Sequence, residues 1–257
     1  MLFDSHTHLN FETFTDGERA ELAKEIEASD VSYVVDIGFD LESSAIAARH
    51  AERYPWCYAT VGYHPHDASG MDDMSFSMIK ALAKKPKVVA IGETGLDFYR
   101  NLSPKDVQRE AFRKHIRLAV ELRKPLVIHS RDADFEVLSI LKEEQAFSNV
   151  RVLLHCYSGS RELAEQYIKL GAAISVAGPV TYSNARKLIE VVERIPIEYL
   201  LIETDAPYLT PEPLRGQRNK SQYVKYTAMK VAEIKGMTYE DVARITCENA
   251  KRFYGIE

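Results

Sequence analysis

The chain has 257 residues, is 46% hydrophobic and carries a formal net charge of −5 at pH 7. That composition supplies ample core, and no window reaches the roughly 18–20 apolar residues of a membrane span. The negative balance excludes a broad electrostatic grip on nucleic acid, so a phosphate-bearing partner must be held by a few residues at one place.

The first apolar run, residues 1–9, reads as a strand bearing His6 and His8, which share a face because they are two apart. Helical periodicity follows at 19–28, a strand at 31–38, a helix at 42–54 and strands at 56–62 and 87–92. The longest helix spans 104–123, with Ser103 as its N-cap and Pro104 in its first turn. Beyond it, strands at 125–129, 151–155, 172–177 and 199–203 alternate with helices at 135–144, 162–170, 184–195 and 222–235, and a last helix covers 239–254. The strand runs are almost continuously apolar, as parallel strands buried on both faces must be. The order is that of an α/β protein, a (β/α)8 TIM barrel with an extra C-terminal helix, expected to form one domain over residues 1–257. A doubly wound sheet would set a glycine-rich turn where His6-Thr7-His8 stands. Cys57, Cys156 and Cys247 are too widely spaced for a disulfide framework, and the N-terminus has no export signal. The expectation is a cytoplasmic protein with no membrane contact and no obligate protein partner.

Polar residues gather where the strands end. His6 and His8 follow the first, Gly62-Tyr63-His64-Pro65-His66 the third, and Gly92-Glu93-Thr94-Gly95-Leu96-Asp97 the fourth. His129-Ser130-Arg131, His155-Cys156 and Glu203-Thr204-Asp205 follow the fifth, sixth and eighth. In a barrel these ends converge on the mouth where the chemistry lies. His6, His8, Glu93, His129, His155 and Asp205 supply six donors, which suit a pair of divalent ions better than one. Glu93 is the expected bridge, with His6, His8 and Asp205 on one ion and His129 and His155 on the other. The donors favour zinc or manganese over magnesium. Cys156, His50 and His115 are read as structural, and Glu203 lies one layer deeper.

Two ions make hydrolysis the expected reaction, with Asp205 as general base and Glu93 completing the catalytic pair. Arg131 and the loop Arg215-Gly216-Gln217-Arg218-Asn219-Lys220 place positive charge near the mouth of a net negative chain, which favours a phosphate ester. His64, Arg131, Arg215, Arg218 and Asn219 are the candidate substrate contacts, and Tyr99 and Tyr208 are candidate stacking surfaces.

The strings DSHTHL, GYHPH, IGETGLDFY, IHSRDA, HCYSG and ETDAPYL, in this order, resemble the TatD family of metal-dependent deoxyribonucleases, barrel enzymes of the amidohydrolase-like group. The resemblance runs from Met1 to about Asn249. It implies 3′→5′ removal of nucleotides from DNA ends, usually assayed with magnesium. The family's metal ligands carry over onto His6, His8, Glu93, His129, His155 and Asp205, the set already reached from the strand ends. One stretch departs: where the family commonly has Glu-Pro after Arg-Gly-x-Arg-Asn, this chain has Lys220-Ser221. The alternative reading is an ester or amide hydrolase on the same metals, such as an aminoacyl-tRNA deacylase.

Overall fold

The eight strands of the computed structural model, which describes residues 1–257, form one sheet in sequential order. They are β1 (Leu2–Thr7), β2 (Val31–Ile37), β3 (Cys57–Val61), β4 (Val88–Asp97), β5 (Leu126–Arg131), β6 (Val152–Leu154), β7 (Ala173–Val176) and β8 (Leu200–Ile202). The helices are α1 (Asp16–Glu27), α2 (Leu41–Arg53), α3 (Asp73–Leu82), α4 (Lys105–Leu122), α5 (Asp134–Glu143), the single turn α6 (Ala146–Asn149), α7 (Arg161–Lys169), α8 (Arg186–Arg194), α9 (Val224–Lys235) and α10 (Tyr239–Tyr254). The sheet returns to its start: Thr7 pairs in parallel with Ala206, and the Asp205 N–H donates to the His6 carbonyl at 2.9 Å. The fold is the (β/α)8 barrel that the alternation predicts, with α10 as the additional helix. No helix is long and apolar enough to cross a membrane.

The chain gathers into two compact units. One comprises Met1–Val35, Cys156–Lys169 and Ala173–Glu257. In it Phe3 lies 5.4 Å from the Tyr33 ring and 6.2 Å from that of Tyr254, whose hydroxyl donates to the Ser5 carbonyl at 2.9 Å. The Asn249 amide donates to the carbonyls of Ile197 and Leu200, so α10 is fixed to both β1 and the start of β8. Fully burying an aromatic or branched side chain such as Phe3 contributes about 1.5–3 kcal/mol.

The other unit comprises Asp36–His155 and Leu170–Ala172. Its core is built from Ile79, Ile91, Phe112, Ile116, Leu126 and Ile128, all fully buried. β4 pairs with β5 at Ile91↔Leu126 and again at Thr94↔Ile128, so three steps on β4 face two on β5. The extra residue makes a bulge that re-aims Glu93, a common device beside active sites. Glycine is required on both sides of it. Gly92 and Gly95 have φ of +136° and +141°, and a Cβ at either would collide with the β5 carbonyls of Val127 and His129.

The sequence expectations differ from the structure at three places. β4 continues past the expected end to Asp97, sustained by its pairing with β5. α3 rises between β3 and β4, where no helix is evident from periodicity. Ser103 does not cap α4: its hydroxyl donates to the His66 carbonyl and accepts from the Ser69 N–H, while Pro104 takes the cap position with extended ψ.

Candidate metal centre

In the unit that contains β3 to β6, the bulge presents the Glu93 carboxylate to three imidazoles. Its Oε1 lies 2.7 Å from His155 Nε2, 3.0 Å from His129 Nδ1 and 3.5 Å from His64 Nε2. Glu93, His155 and His64 are buried. Burial alone would raise the Glu93 carboxyl, yet His155, His64 and His129 hold it well below the ordinary carboxylate range. Burial pushes His64 well below its usual value, which keeps it neutral. The His66 N–H donates to His64 Nδ1 at 3.0 Å, so the single ring proton of His64 belongs on Nε2.

His129 faces a second carboxylate. Its Nε2 lies 3.1 Å from Asp97 Oδ2, an oxygen that also sits 2.8 Å from His66 Nε2, and Asp97 Oδ1 accepts from the Arg100 N–H at 2.8 Å. Against the pull of burial, His129, the Arg100 N–H and His66 hold Asp97 below the ordinary range. A carboxylate behind a histidine fixes the tautomer and orientation that a metal requires. The donor set fits such a group. Glu93 Oε1, His129 Nδ1 and His155 Nε2 lie 2.7–3.4 Å from one another, and donors around one ion at about 2.1 Å stand roughly 3–3.5 Å apart.

Behind this layer His115 is fully buried on α4. Its Nδ1 donates to the Ala111 carbonyl at 2.7 Å and its Nε2 accepts from the Tyr63 N–H at 3.0 Å, which fixes the residue preceding His64. Burial lowers its pKa to about 4, in keeping with a packing role.

In the unit that contains β1, β7 and β8, His6, His8 and Asp205 come together. Asp205 Oδ1 lies 3.6 Å from His6 Nε2 and 3.4 Å from His8 Nε2, with the two rings edge to face at 5.1 Å. His6 is fully buried, whereas the Asp205 side chain is 16% exposed. Glu203 is committed elsewhere: its oxygens accept from the Cys156 N–H at 2.7 Å and the Ser175 hydroxyl at 2.5 Å. It is a brace between β7, β8 and the turn after β6.

The candidate substrate residues divide by exposure. The Arg131 guanidinium lies over the exposed Tyr99 ring at 4.0 Å, and that of Arg215 over Tyr182 at 4.2 Å. Arg218 pairs with Glu18 at 3.2 Å and remains 55% exposed. Asn219 is buried, its amide donating to the carbonyls of Thr204 at 2.8 Å and Tyr208 at 2.5 Å. Lys220 turns away to α1, where its ammonium meets both oxygens of Glu25 at 2.7 Å.

Two residues, Asp97 and Tyr182, have roles that the strand-end pattern does not assign. Asp97 stands four residues after Glu93 on a strand that continues, and period-2 spacing puts both on one face. That was the available signal. Tyr182 had none, since its place is fixed by its hydroxyl donating to the Thr210 carbonyl at 3.0 Å.

A family model described as TatD related DNase matches residues 3–255. The chain is 48% identical over 256 residues to a Bacillus subtilis protein named as the uncharacterized metal-dependent hydrolase YabD, with 100% of each chain covered. It is 36% identical over 260 residues to the 3′-5′ ssDNA/RNA exonuclease TatD of Citrobacter koseri, with 99% of each covered. Among solved structures, that of YjjV, a TatD homolog from Escherichia coli, gives a TM-score of 0.91 at 27% identity and covers 100% of this chain and 98% of that one.

Proposed function

The chain belongs to the family of TatD-related DNases and is a metal-dependent hydrolase of ester bonds; on that premise we propose that it is a 3′→5′ exodeoxyribonuclease working in the cytoplasm. Residues 1–257 act as one hydrolase domain. His6, His8 and Asp205 would hold one divalent ion and His129 and His155 a second, with Glu93 as a ligand to both. The ions are magnesium, manganese or zinc, and when bound they supply Lewis acidity, lowering the pKa of a water and offsetting charge on the phosphate.

The chain's own groups do the rest. Asp205, partly exposed beside His6 and His8, accepts the proton of the attacking water. His64, neutral and protonated on Nε2, donates to a phosphate oxygen. Arg131, Arg215 and Arg218 receive the DNA phosphates with exposed guanidinium groups. Asn219 serves the substrate through the loop it clamps.

One observation carries the reading: a single oxygen of a buried, ionised glutamate lies within 3.5 Å of three imidazole nitrogens. Nuclease chemistry is supported by the identity to a protein named as an exonuclease. The test is digestion of end-labelled single-stranded DNA by metal-stripped protein, with magnesium, manganese or zinc restored and an Asp205→Asn variant alongside. Stepwise shortening from the 3′ end, absent in the variant, is expected. No digestion with any metal overturns the nuclease and turns attention to ester or amide substrates, beginning with aminoacyl-tRNA.

A further inference from the structure

A cavity of about 800 Å³ opens between the turn after β6, the turn after β7 and the first turn of α8. It is within the size range of small-molecule sites. Cys156 and Tyr157 form one wall, Tyr182 another, and Arg186 and Lys187 bring two cations to the rim. A third cation joins them, because Arg215 stacks on the Tyr182 ring. Both tyrosines are held by their hydroxyls: Tyr157 donates to the Ser160 carbonyl at 2.7 Å and Tyr182 to that of Thr210 at 3.0 Å. Their rings are therefore fixed in orientation before any ligand arrives.

From this geometry we infer that the cavity seats a nucleotide of the DNA substrate, with its base stacked on Tyr182 and its phosphate between Arg186, Lys187 and Arg215. Two features converge on a nucleotide. An aromatic wall accepts any base, since every base has a π-face. Arg186, Lys187 and Arg215 stand against the carboxylates of Glu190 and of Glu212, the latter 3.9 Å from Arg215, and the remaining positive balance matches a phosphate. The inference rests on the nuclease reading for its substrate, but its first readout needs no turnover.

Cys156 supplies the probe. It lines the cavity and is half-buried, whereas Cys57 and Cys247 are buried, so a thiol reagent modifies Cys156 first. In chelator-treated protein, a short single-stranded deoxyoligonucleotide should slow modification of Cys156 at least fivefold, read by peptide mass spectrometry. Inorganic phosphate at the same concentration should slow it less than twofold. Tyr182→Ala should abolish the protection and raise the oligonucleotide KM about tenfold, and Tyr182→Phe, which keeps the stacking face but loses the bond to Thr210, should restore most of both. Protection without digestion under any metal sustains the site and overturns the nuclease reading alone. Digestion by the wild type with no protection of Cys156, and with an unchanged KM in Tyr182→Ala, overturns the site and leaves the nuclease standing. Equal protection by inorganic phosphate overturns the role given to the base.

Discussion

His129 has two ring nitrogens and two carboxylate neighbours, Glu93 at 3.0 Å and Asp97 at 3.1 Å. With its Nε2 proton held by Asp97, Nδ1 is left as the lone-pair donor, the tautomer that a metal site requires. Replacing Asp97 by Asn keeps the volume and removes the charge that enforces this choice. Asp97→Asn should therefore weaken metal binding about 10–100-fold, measured by calorimetric titration of the stripped protein; unchanged affinity would limit Asp97 to bracing the Arg100 turn. His115 acts further back and through stability. Its pKa is near 6.5 unfolded and about 4 folded, because burial opposes the charge and the Tyr63 N–H occupies the lone pair. The unfolded chain thus binds the extra proton first. The stabilisation is complete above pH 6.5 and is lost as pH falls toward 4, costing about 2 kcal/mol by pH 5. In urea unfolding with chelator present, the advantage of the wild type over His115→Gln should shrink by about that amount between pH 7 and pH 5. A constant difference would show that the ring titrates alike in the folded and unfolded chain, and would sink the assignment.

Among the elements, those legible in the sequence were the ones whose apolar pattern is set by burial on both faces, such as Val88-Val89-Ala90-Ile91 in β4 and Leu126-Val127-Ile128 in β5. α3 was not, because only Ile79 among its ten residues is buried while Met74 and Met78 face outward, so no apolar stripe forms. Its signal lies in the Asp72–Ser75 capping box, which a search for periodicity passes over. The positions of His6, His129 and Asp205 were legible because period-2 spacing and barrel topology place them near strand ends, whereas the aim of Glu93 depends on a bulge that only the β4–β5 pairing reveals. Loop residues were not, since nothing local to Arg218-Asn219-Lys220 tells that Asn219 is buried across two carbonyls or that Lys220 reaches α1. That arrangement separates two charges that look equivalent in sequence. Lys220→Ala should lower stability by up to about 1 kcal/mol, through the partly buried Glu25 pair, and leave the oligonucleotide KM within twofold. Arg218→Ala, at an exposed position, should raise that KM several-fold with little change in unfolding midpoint. The reverse pattern would return the phosphate role to Lys220.

At the scale of the whole molecule, the proposed ligands come from β1, β4, β5, the end of β6 and the stretch after β8, parts of the chain far apart in sequence. Ions held by all of them bind the native state and have no comparable site in the unfolded chain. Linkage then turns metal affinity into stability: free metal at 100 times its dissociation constant adds about 2.7 kcal/mol. For a chain of this size each kcal/mol moves the midpoint by about 2–4 °C, so restoring manganese or zinc to stripped protein should raise Tm by roughly 5–10 °C. Glu93 is the sharpest test of how the ions are shared. If it bridges both, Glu93→Ala removes a ligand from each at once, and the variant should lose nearly all of the metal-dependent rise and bind well under one ion per chain by elemental analysis. A His6→Ala variant, cut at one end only, should keep part of the rise, through His129, His155 and Glu93. Full occupancy in Glu93→Ala, with an undiminished rise in Tm, would mean that the ions are held without a shared carboxylate and would end the bridging assignment.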